Sequence, residues 1–280
     1  MSNPIYNENT GHVDVSGDQI KKGLVYARKN NHHGLAINAL KNKGAALDFS
    51  ELDNDSSIED LYISEDVPLK SVDLNFLYSM SRLSKLTIQY FSGKLDFSRL
   101  GALETLYLTS ADTVIDSINI PALKSLLIVS TKNLDCKFLS SLHNLEDLRI
   151  SGGKIESSAG LEALPKLRSI QIDHTPKLVD ISSLGDAKAL TDLYIEKCKG
   201  LSDFGFLRGN SSIERLFISD LDSVDFVPSM HKIEELKFWN LKDGDMACLP
   251  QSKTLRKVDF YPQKRGYTHA YDEINALLKK

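Results

Sequence analysis

The sequence predicts an α/β solenoid, in which short parallel strands stack side by side and helices cover both ends. Three observations lead to this fold class: one apolar template recurs ten times along 280 residues, a second segment recurs between its copies, and both termini depart from the pattern. Hydrophobic residues make up 41% and charged residues 26% of the chain, values typical of globular proteins.

The template is apolar-x-x-apolar-x-apolar, and its copies start 20 to 25 residues apart. Each copy ends in a short strand, where side chains alternate between two faces and the apolar ones point inward. A mean spacing of about 22 residues is typical of leucine-rich repeats. We therefore predict a leucine-rich repeat solenoid with a curved parallel sheet on its concave face. The copies start at Ile58, Leu83, Leu103, Leu123, Leu145, Leu167, Leu190, Ile213, Ile233 and Leu255.

A second recurring segment, apolar-Asp-apolar followed by Leu, returns the chain along the convex side. An Asp in this position is expected to cap a short 3-10 or irregular turn, because its side chain accepts bonds from nearby backbone N–H groups. The same residue type recurs in several coils, so we predict no catalytic role for it. The segments begin at Val72, Leu95, Leu134, Val179 and Leu201.

The N-terminal cap is predicted to cover residues 1–57. Ser16 and Gln19 form a capping-box pattern for a helix over about residues 17–31. Gly34 then opens a first strand, and Ala46–Leu52 are expected to complete the first coil. The helix would bury one apolar face, formed by Ile20, Leu24 and Ala27.

The repeats are predicted to occupy residues 58–260 and a C-terminal cap residues 261–280. Pro262 and Gly266 interrupt the pattern after the last template. The apolar spacing then predicts a short final helix that covers the last coil, because terminal coils otherwise expose the core. Its apolar positions are Tyr271, Ile274, Leu277 and Leu278.

The stretch LVDISSLGDAKALTDLYI, from Leu178 to Ile195, resembles the repeats of internalins, which are bacterial leucine-rich repeat proteins. The resemblance covers roughly Ile58 to Phe260. It implies a non-enzymatic solenoid that grips a partner protein on its concave face. In a sharper form it implies a cytoplasmic immunity or inhibitor protein that neutralises a toxin, since ribonuclease inhibitor shows that this fold class can bind an enzyme. The alternative is a secreted or surface adhesion or effector module that binds a host protein.

The chain departs from the family eight residues after each template start, where the family carries Asn or Cys. Of the first nine copies, only Cys198 fits that pair. The missing asparagine ladder predicts a less regular solenoid, and it gives the Cys198 thiol a structural explanation.

The three cysteines, Cys136, Cys198 and Cys248, are too few and too widely spaced for a disulfide framework or a zinc site. We expect reduced, structural thiols in a cytoplasmic protein. A mature secreted chain whose signal had been removed would look the same, so both compartments stay open at this point.

No sequence motif indicates catalysis. The chain has no phosphate-cradling glycine loop, nucleophile elbow or zinc-binding helix motif, so we predict no catalytic residue, cofactor or metal. The net charge of −4 and the lack of a basic stripe make nucleic acid the least favoured partner. No apolar run approaches the roughly 20 residues of a membrane-spanning helix. We expect a monomer or a hetero-complex with another protein.

The outward strand positions form three columns of ten residues, and they are the candidate binding surface. Six of these thirty positions are aromatic, against 8% of the whole chain, and they include the only Trp. Aromatic and Arg side chains dominate the energetics of protein interfaces, and the aromatics are densest from Tyr194 to Tyr261. Seven acidic against five basic residues in the columns weakly favour a basic partner. The predicted binding residues are Tyr62, Tyr107, Arg149, Asp173, Asp192, Tyr194, Glu196, Arg215, Phe217, Lys237, Trp239 and Tyr261.

Overall fold

The computed structural model describes residues 4–42, 47–69, 72–91, 95–110 and 114–279. The chain divides into two compact units, Met1–Thr131 (unit 1) and Lys132–Lys280 (unit 2). Each unit is built from parallel strands joined by irregular segments with short 3-10 turns. No helix among the described residues is long and apolar enough to span a membrane.

Unit 1 contains seven of the described strands and one helix. Strand β1 pairs with β2 in an antiparallel hairpin, and from β2 to β7 each strand pairs in parallel with the next. The elements are β1 (Ile5–Asn7), β2 (His12–Ser16), α1 (Ile20–Lys29), β3 (Gly34–Asn38), β4 (Asp60–Ile63), β5 (Lys85–Phe91), β6 (Thr105–Ser110) and β7 (Ser125–Val129).

Unit 2 contains six of the described strands, all paired in parallel with their neighbours in chain order. A helix follows the last strand. The elements are β8 (Asp147–Ser151), β9 (Ser169–Asp173), β10 (Asp192–Glu196), β11 (Arg215–Leu221), β12 (Glu235–Leu241), β13 (Lys257–Phe260) and α2 (Tyr271–Leu278).

The ten templates correspond to the ten strands β4 to β13, and each strand begins two residues after its template start. The register follows the templates, since Asp192 pairs with Arg215 and Arg215 with Glu235, and it shifts only locally between β5 and β6, after Ile88. The inward side chains are buried, as at Leu61 and Ile63, which are both 0% exposed. Each buried aliphatic side chain contributes about 1.5–3 kcal/mol, so a strand is stabilised chiefly by stacking on its neighbours. The predicted leucine-rich repeat fold is confirmed.

The aspartates of the return segments cap the turns as predicted. Each accepts a hydrogen bond of 2.7–3.1 Å from the backbone N–H two residues further along. This bond satisfies a donor that the start of a 3-10 turn leaves free, which explains why Asp recurs there. The capping residues are Asp73, Asp96, Asp135, Asp180 and Asp203.

The N-terminal cap differs from the prediction in two ways. The capping box is wrong: the helix begins at Ile20, its N-cap is Gln19 without a side-chain bond, and Ser16 pairs with Asn38 as the last residue of β2. Ser16 lies four residues before the first helical residue, whereas an N-cap directly precedes it, so Ser16 cannot be the N-cap. The hairpin of β1 and β2 was not predicted, because strands this short carry no clear period. Ala46 lies outside the described residues, and a 3-10 turn follows at Ser50–Leu52.

The C-terminal helix is confirmed at Tyr271–Leu278, with Ile274 fully buried. The side chain of Asn275 joins this helix, α2, to the edge strand β13 through two hydrogen bonds. Its Oδ1 accepts a bond from the Val258 N–H at 2.9 Å, and its Nδ2 donates to the Val258 carbonyl at 2.8 Å. The amide therefore takes the place of a neighbouring strand at this edge, which would otherwise be open to pairing with another chain.

Candidate functional site

The candidate site of unit 2 lies on its open face, meaning the side chains of β8 to β13 that point away from the buried apolar rows. Each strand contributes its first, third and fifth residues to this face, because side chains alternate along a strand. In β10, for example, these positions are Asp192, Tyr194 and Glu196, all half-buried, while Leu193 and Ile195 are buried.

Three aromatic side chains on successive strands form what we call the aromatic cluster: Tyr194, Phe217 and Trp239. The Tyr194 and Phe217 rings stack with centroids 4.2 Å apart and an interplanar angle of 22°. The Phe217 and Trp239 rings meet edge to face at 5.3 Å and 73°. The strand register produces the stack, since Tyr194 and Phe217 are directly paired residues of β10 and β11.

The outward strand position of Phe217 predicts an exposed side chain, but the side chain is only 5% exposed. The neighbouring Tyr194 and Trp239 rings cover it, and both are half-buried themselves. Phe217 therefore supports the two outer rings, and a partner would meet the faces of Tyr194 and Trp239.

Polar contacts orient both outer rings of the cluster. The Tyr194 hydroxyl donates to Glu196 Oε2 at 2.7 Å, and burial together with this carboxylate raises the pKa of Tyr194. The Lys197 ammonium lies 3.3 Å from Glu196 Oε1 and 5.8 Å from the centre of the Trp239 ring, within the range of a cation–π contact. The cluster thus combines apolar ring surfaces with a neutral phenol and with the Lys197 ammonium, which the Glu196 carboxylate holds in place.

Asp173 is the most buried polar residue of this face, with 1% of its surface exposed. Its carboxylate accepts bonds from Ser151 Oγ at 2.5 Å, Arg149 Nε at 2.9 Å and Gln171 Nε2 at 3.2 Å, and His174 Nδ1 lies 3.0 Å away. Burial alone would raise the pKa of Asp173, but these bonds outweigh it and the pKa is lowered. Asp173 therefore organises its neighbours and offers little surface to a partner.

The remaining predicted charges of unit 2 are ion-paired within the face. Arg215 forms a bidentate pair with Asp192, in which the Nη2–Oδ2 distance is 2.7 Å. Lys237 Nζ lies 3.2 Å from Asp259 Oδ2. Tyr261 is 80% exposed at the end of β13.

A groove of about 320 Å³ runs along the first and third strand positions of β9 to β12. Tyr194 and Phe217 form its apolar wall, and the small Ser169 leaves space beside them. The polar residues of the groove are Gln171, Asp192, Arg215, Glu235 and Lys237.

The open face of unit 1 carries the other two predicted aromatics, and they do not meet. Thr87 of β5 lies in register between Tyr62 of β4 and Tyr107 of β6. Beside them, Asp60 joins two basic groups: His12 Nε2 lies 3.2 Å from Oδ1, and Lys85 Nζ lies 2.9 Å from Oδ2.

Two residues of the unit 2 surface, His174 and Lys197, were missed by the sequence analysis. They follow β9 and β10 in turns with φ of 52°, seven residues after their template starts. Their side chains reach back to the face, where Lys197 Nζ lies 3.2 Å from His174 Nε2. A fourth column at this spacing would have found both.

The cysteine thiols have structural surroundings. Cys198 Sγ lies 3.4 Å from the Glu196 carbonyl and 3.7 Å from the Ile172 carbonyl, so it bridges two coils as expected from its position. Burial raises its pKa to about 11. Cys136 and Cys248 also contact backbone carbonyls of neighbouring coils, and burial raises their pKa values. All three thiols are therefore protonated and weakly nucleophilic at neutral pH.

No protein-family model matches the sequence, and no curated protein matches it. Among solved structures, the chain is similar to the crystal structure of an internalin (inlF) from Listeria monocytogenes str. 4b F2365. The TM-score is 0.59 at 18% sequence identity, and the match covers 89% of this chain and 73% of that chain. The likeness establishes an internalin-like leucine-rich repeat fold.

Proposed function

We propose that the chain is a non-enzymatic protein-binding module, and that the open face of unit 2 is its binding surface. The observation that carries this proposal is the aromatic cluster. Tyr194 and Trp239 are partly exposed on the side of the sheet opposite the core, where the fold needs no apolar burial. Partly exposed Tyr and Trp beside fixed charges are characteristic of interface centres.

The cluster is also prepared for binding before a partner arrives. Phe217 packs against both outer rings, and the Glu196 carboxylate accepts a hydrogen bond from the Tyr194 hydroxyl. A side chain that is already ordered loses little conformational entropy on association, which leaves more of the contact energy for affinity.

Two forms of this function differ in their partner. In the first, the chain is an immunity or inhibitor protein that holds a toxin enzyme inactive in the bacterial cytoplasm; its support is the fold and the analogy with ribonuclease inhibitor. In the second, it is an adhesion or effector module for a host protein; its support is the resemblance of the repeats to those of internalins.

Partner capture tests the proposal. The full-length chain and its Tyr194→Ala and Trp239→Ala variants are used in parallel to isolate partners from the native host and from host-cell extracts. We expect each variant to weaken the complex by about 2 kcal/mol or more, as at interface hot spots, measured by calorimetry on the isolated partner. An inhibitor would form a stoichiometric complex that abolishes the activity of a bacterial enzyme.

Tyr90→Ala is the matched control, because Tyr90 is a 54% exposed tyrosine of unit 1 outside the cluster. It should leave the affinity unchanged. Equal affinity for wild type, Tyr194→Ala and Trp239→Ala would reject the open face of unit 2 as the binding surface.

A further inference from the structure

The ion pairs on the open face of unit 2 are layered, with the carboxylate beneath and the cation above. In each pair the basic side chain is more exposed than its acidic partner. The exposed fractions are 49% and 1% for Arg149 and Asp173, 51% and 15% for Lys197 and Glu196, 56% and 29% for Arg215 and Asp192, and 52% and 36% for Lys237 and Asp259.

The layering changes what a partner meets. By formal count, acidic residues outnumber basic ones in the outward columns, which favoured a basic partner. On the surface of unit 2, however, the basic residues Arg149, Lys197, Arg215, Lys237 and Lys257 are all exposed. The exposed acidic residues among its outward strand positions, all of which the structure describes, are Asp147 and Glu235; a third exposed carboxylate, Asp220, lies seven residues after its template start, as Lys197 does. The contact layer is therefore mainly cationic.

We propose that the open face of unit 2 binds an acidic segment of a protein partner, in which Asp or Glu residues flank an apolar side chain. This inference rests on the proposed function and specifies the chemistry of the partner. The groove beside Tyr194 and Phe217 accommodates the apolar side chain, and the exposed cations at its rim meet the carboxylates.

The arginines retain donors for such a partner. A guanidinium has five N–H donors. The Arg149–Asp173 bond uses the Nε donor, and the Arg215–Asp192 bonds use Nε and one Nη2 donor. The underlying carboxylates hold the guanidinium groups in place, so a partner carboxylate can bind to the outer edge without first ordering a long side chain.

The arrangement of charge favours a protein over a nucleic acid. Arg215 pairs with Glu235, and Lys237 lies two residues further along that strand, so the two cations are diagonal neighbours about 7–8 Å apart, a separation that carboxylates of one short segment can match. A nucleic acid presents a phosphate at every nucleotide, which would bring negative charge against Asp147, Glu235 and the carboxylates beneath. The net charge of −4 also opposes a polyanion.

The test uses a library of random dodecapeptides without Trp, displayed on phage and selected on the immobilised full-length chain. We expect Asp and Glu to be at least twice as frequent in the selected peptides as in the library. Synthetic versions are then titrated against the chain by isothermal titration calorimetry, a readout that also serves variants without Trp239, its only tryptophan. We expect Arg215→Gln and Lys237→Gln together to weaken peptide binding at least tenfold.

The matched controls are Arg208→Gln and Lys188→Gln, which remove exposed cations that pair with Asp225 and Asp186 on the return segments. They should change the dissociation constant less than twofold. Because Arg215→Gln leaves Asp192 without its partner, the double variant Asp192→Asn/Arg215→Gln removes both charges of that pair, and it should also weaken binding.

Each contrary outcome has a distinct meaning. Peptides whose binding depends on Trp239 and Tyr194 but not on the cations would overturn the acidic partner and leave the proposed binding surface standing. Binding that depends on neither set would overturn both, whereas selected peptides without enrichment of Asp and Glu would overturn the acidic partner alone. A fluorescein-labelled single-stranded oligonucleotide that binds as tightly as the peptides, and depends on the same cations, would overturn the choice of a protein ligand.

Discussion

Unit 1 carries two tyrosines on its open face, whereas unit 2 carries three aromatic side chains in mutual contact. Both faces are built from the same template, and in both the aromatics occupy outward strand positions. In unit 1, Thr87 separates Tyr62 from Tyr107, while in unit 2 Tyr194 and Phe217 are directly paired. Aromatic content alone therefore does not bring rings into contact; adjacency in the strand register does.

The polar groups of the two faces also differ: they form a local cluster in unit 1 and a connected network in unit 2. In unit 1, Asp60 lies between two basic groups, His12 and Lys85, in a local cluster. In unit 2, Asp173 and Glu196 connect Arg149, Lys197 and Tyr194 into one network beside the rings.

Phe217→Thr would give unit 2 the spacing of unit 1. The change removes a buried ring and both of its aromatic contacts, so we expect a loss of about 3 kcal/mol in the free energy of unfolding, measured by urea denaturation. Tyr62→Thr in unit 1 is the control, and it should cost less than half as much because Tyr62 is only half-buried and its ring contact, with His12, is a tilted one at 6.3 Å. Equal losses in the two variants would contradict the role assigned to register.

Asp173→Asn tests the polar network of unit 2. Losing the charge from a buried carboxylate with several donors should cost about 2 kcal/mol. The folded-state pKa of Asp173 is lowered. Its stabilisation is therefore fully present above the unfolded value of about 3.9 and is lost as the pH falls through the folded value.

The melting temperature of the wild type should thus fall more steeply below about pH 4 than that of Asp173→Asn. Asp147→Asn changes an exposed carboxylate of the same face and serves as control. If Asp173→Asn melts with the wild-type pH profile, the network does not depend on this charge.

Asn275→Ala contrasts the two ends of the chain. A backbone hairpin, β1 and β2, precedes the parallel strands of unit 1, whereas one amide covers Val258 in unit 2. Removing two hydrogen bonds to an edge strand should cost about 1–2 kcal/mol and promote self-association through β13. Thermal unfolding and sedimentation velocity measure the two effects, with Lys279→Ala as control; a monomer of unchanged stability would refute the edge-covering role.

Thr87→Tyr would give unit 1 the spacing of unit 2. A tyrosine between Tyr62 and Tyr107 should form cross-strand aromatic pairs and raise the free energy of unfolding by about 0.5–1 kcal/mol. Thr109→Tyr adds a ring at an outward position without an aromatic neighbour in register, so it should give no gain. A destabilised Thr87→Tyr variant would show that the strands of unit 1 leave no room for a third ring.

The sequence was sufficient for the features that repeat. Ten copies of one template located ten strands, because a strand that buries one row of side chains must alternate polar and apolar residues in every coil. The recurring aspartates located the turns for a similar reason, since each satisfies a backbone donor two residues away. The C-terminal helix followed from the spacing of its apolar residues.

Features that depend on contacts between neighbouring coils become visible only in the folded chain. Phe217 occupies an outward position and is nevertheless buried, because rings from the strands on both sides cover it. The carboxylates lie beneath the cations because short acidic side chains stay near the sheet while long basic ones reach past them. Apart from the adjacent pair Lys197 and Glu196, these are contacts between residues 22 to 24 positions apart, and a count of residue types along the chain contains no information on which side chain covers which.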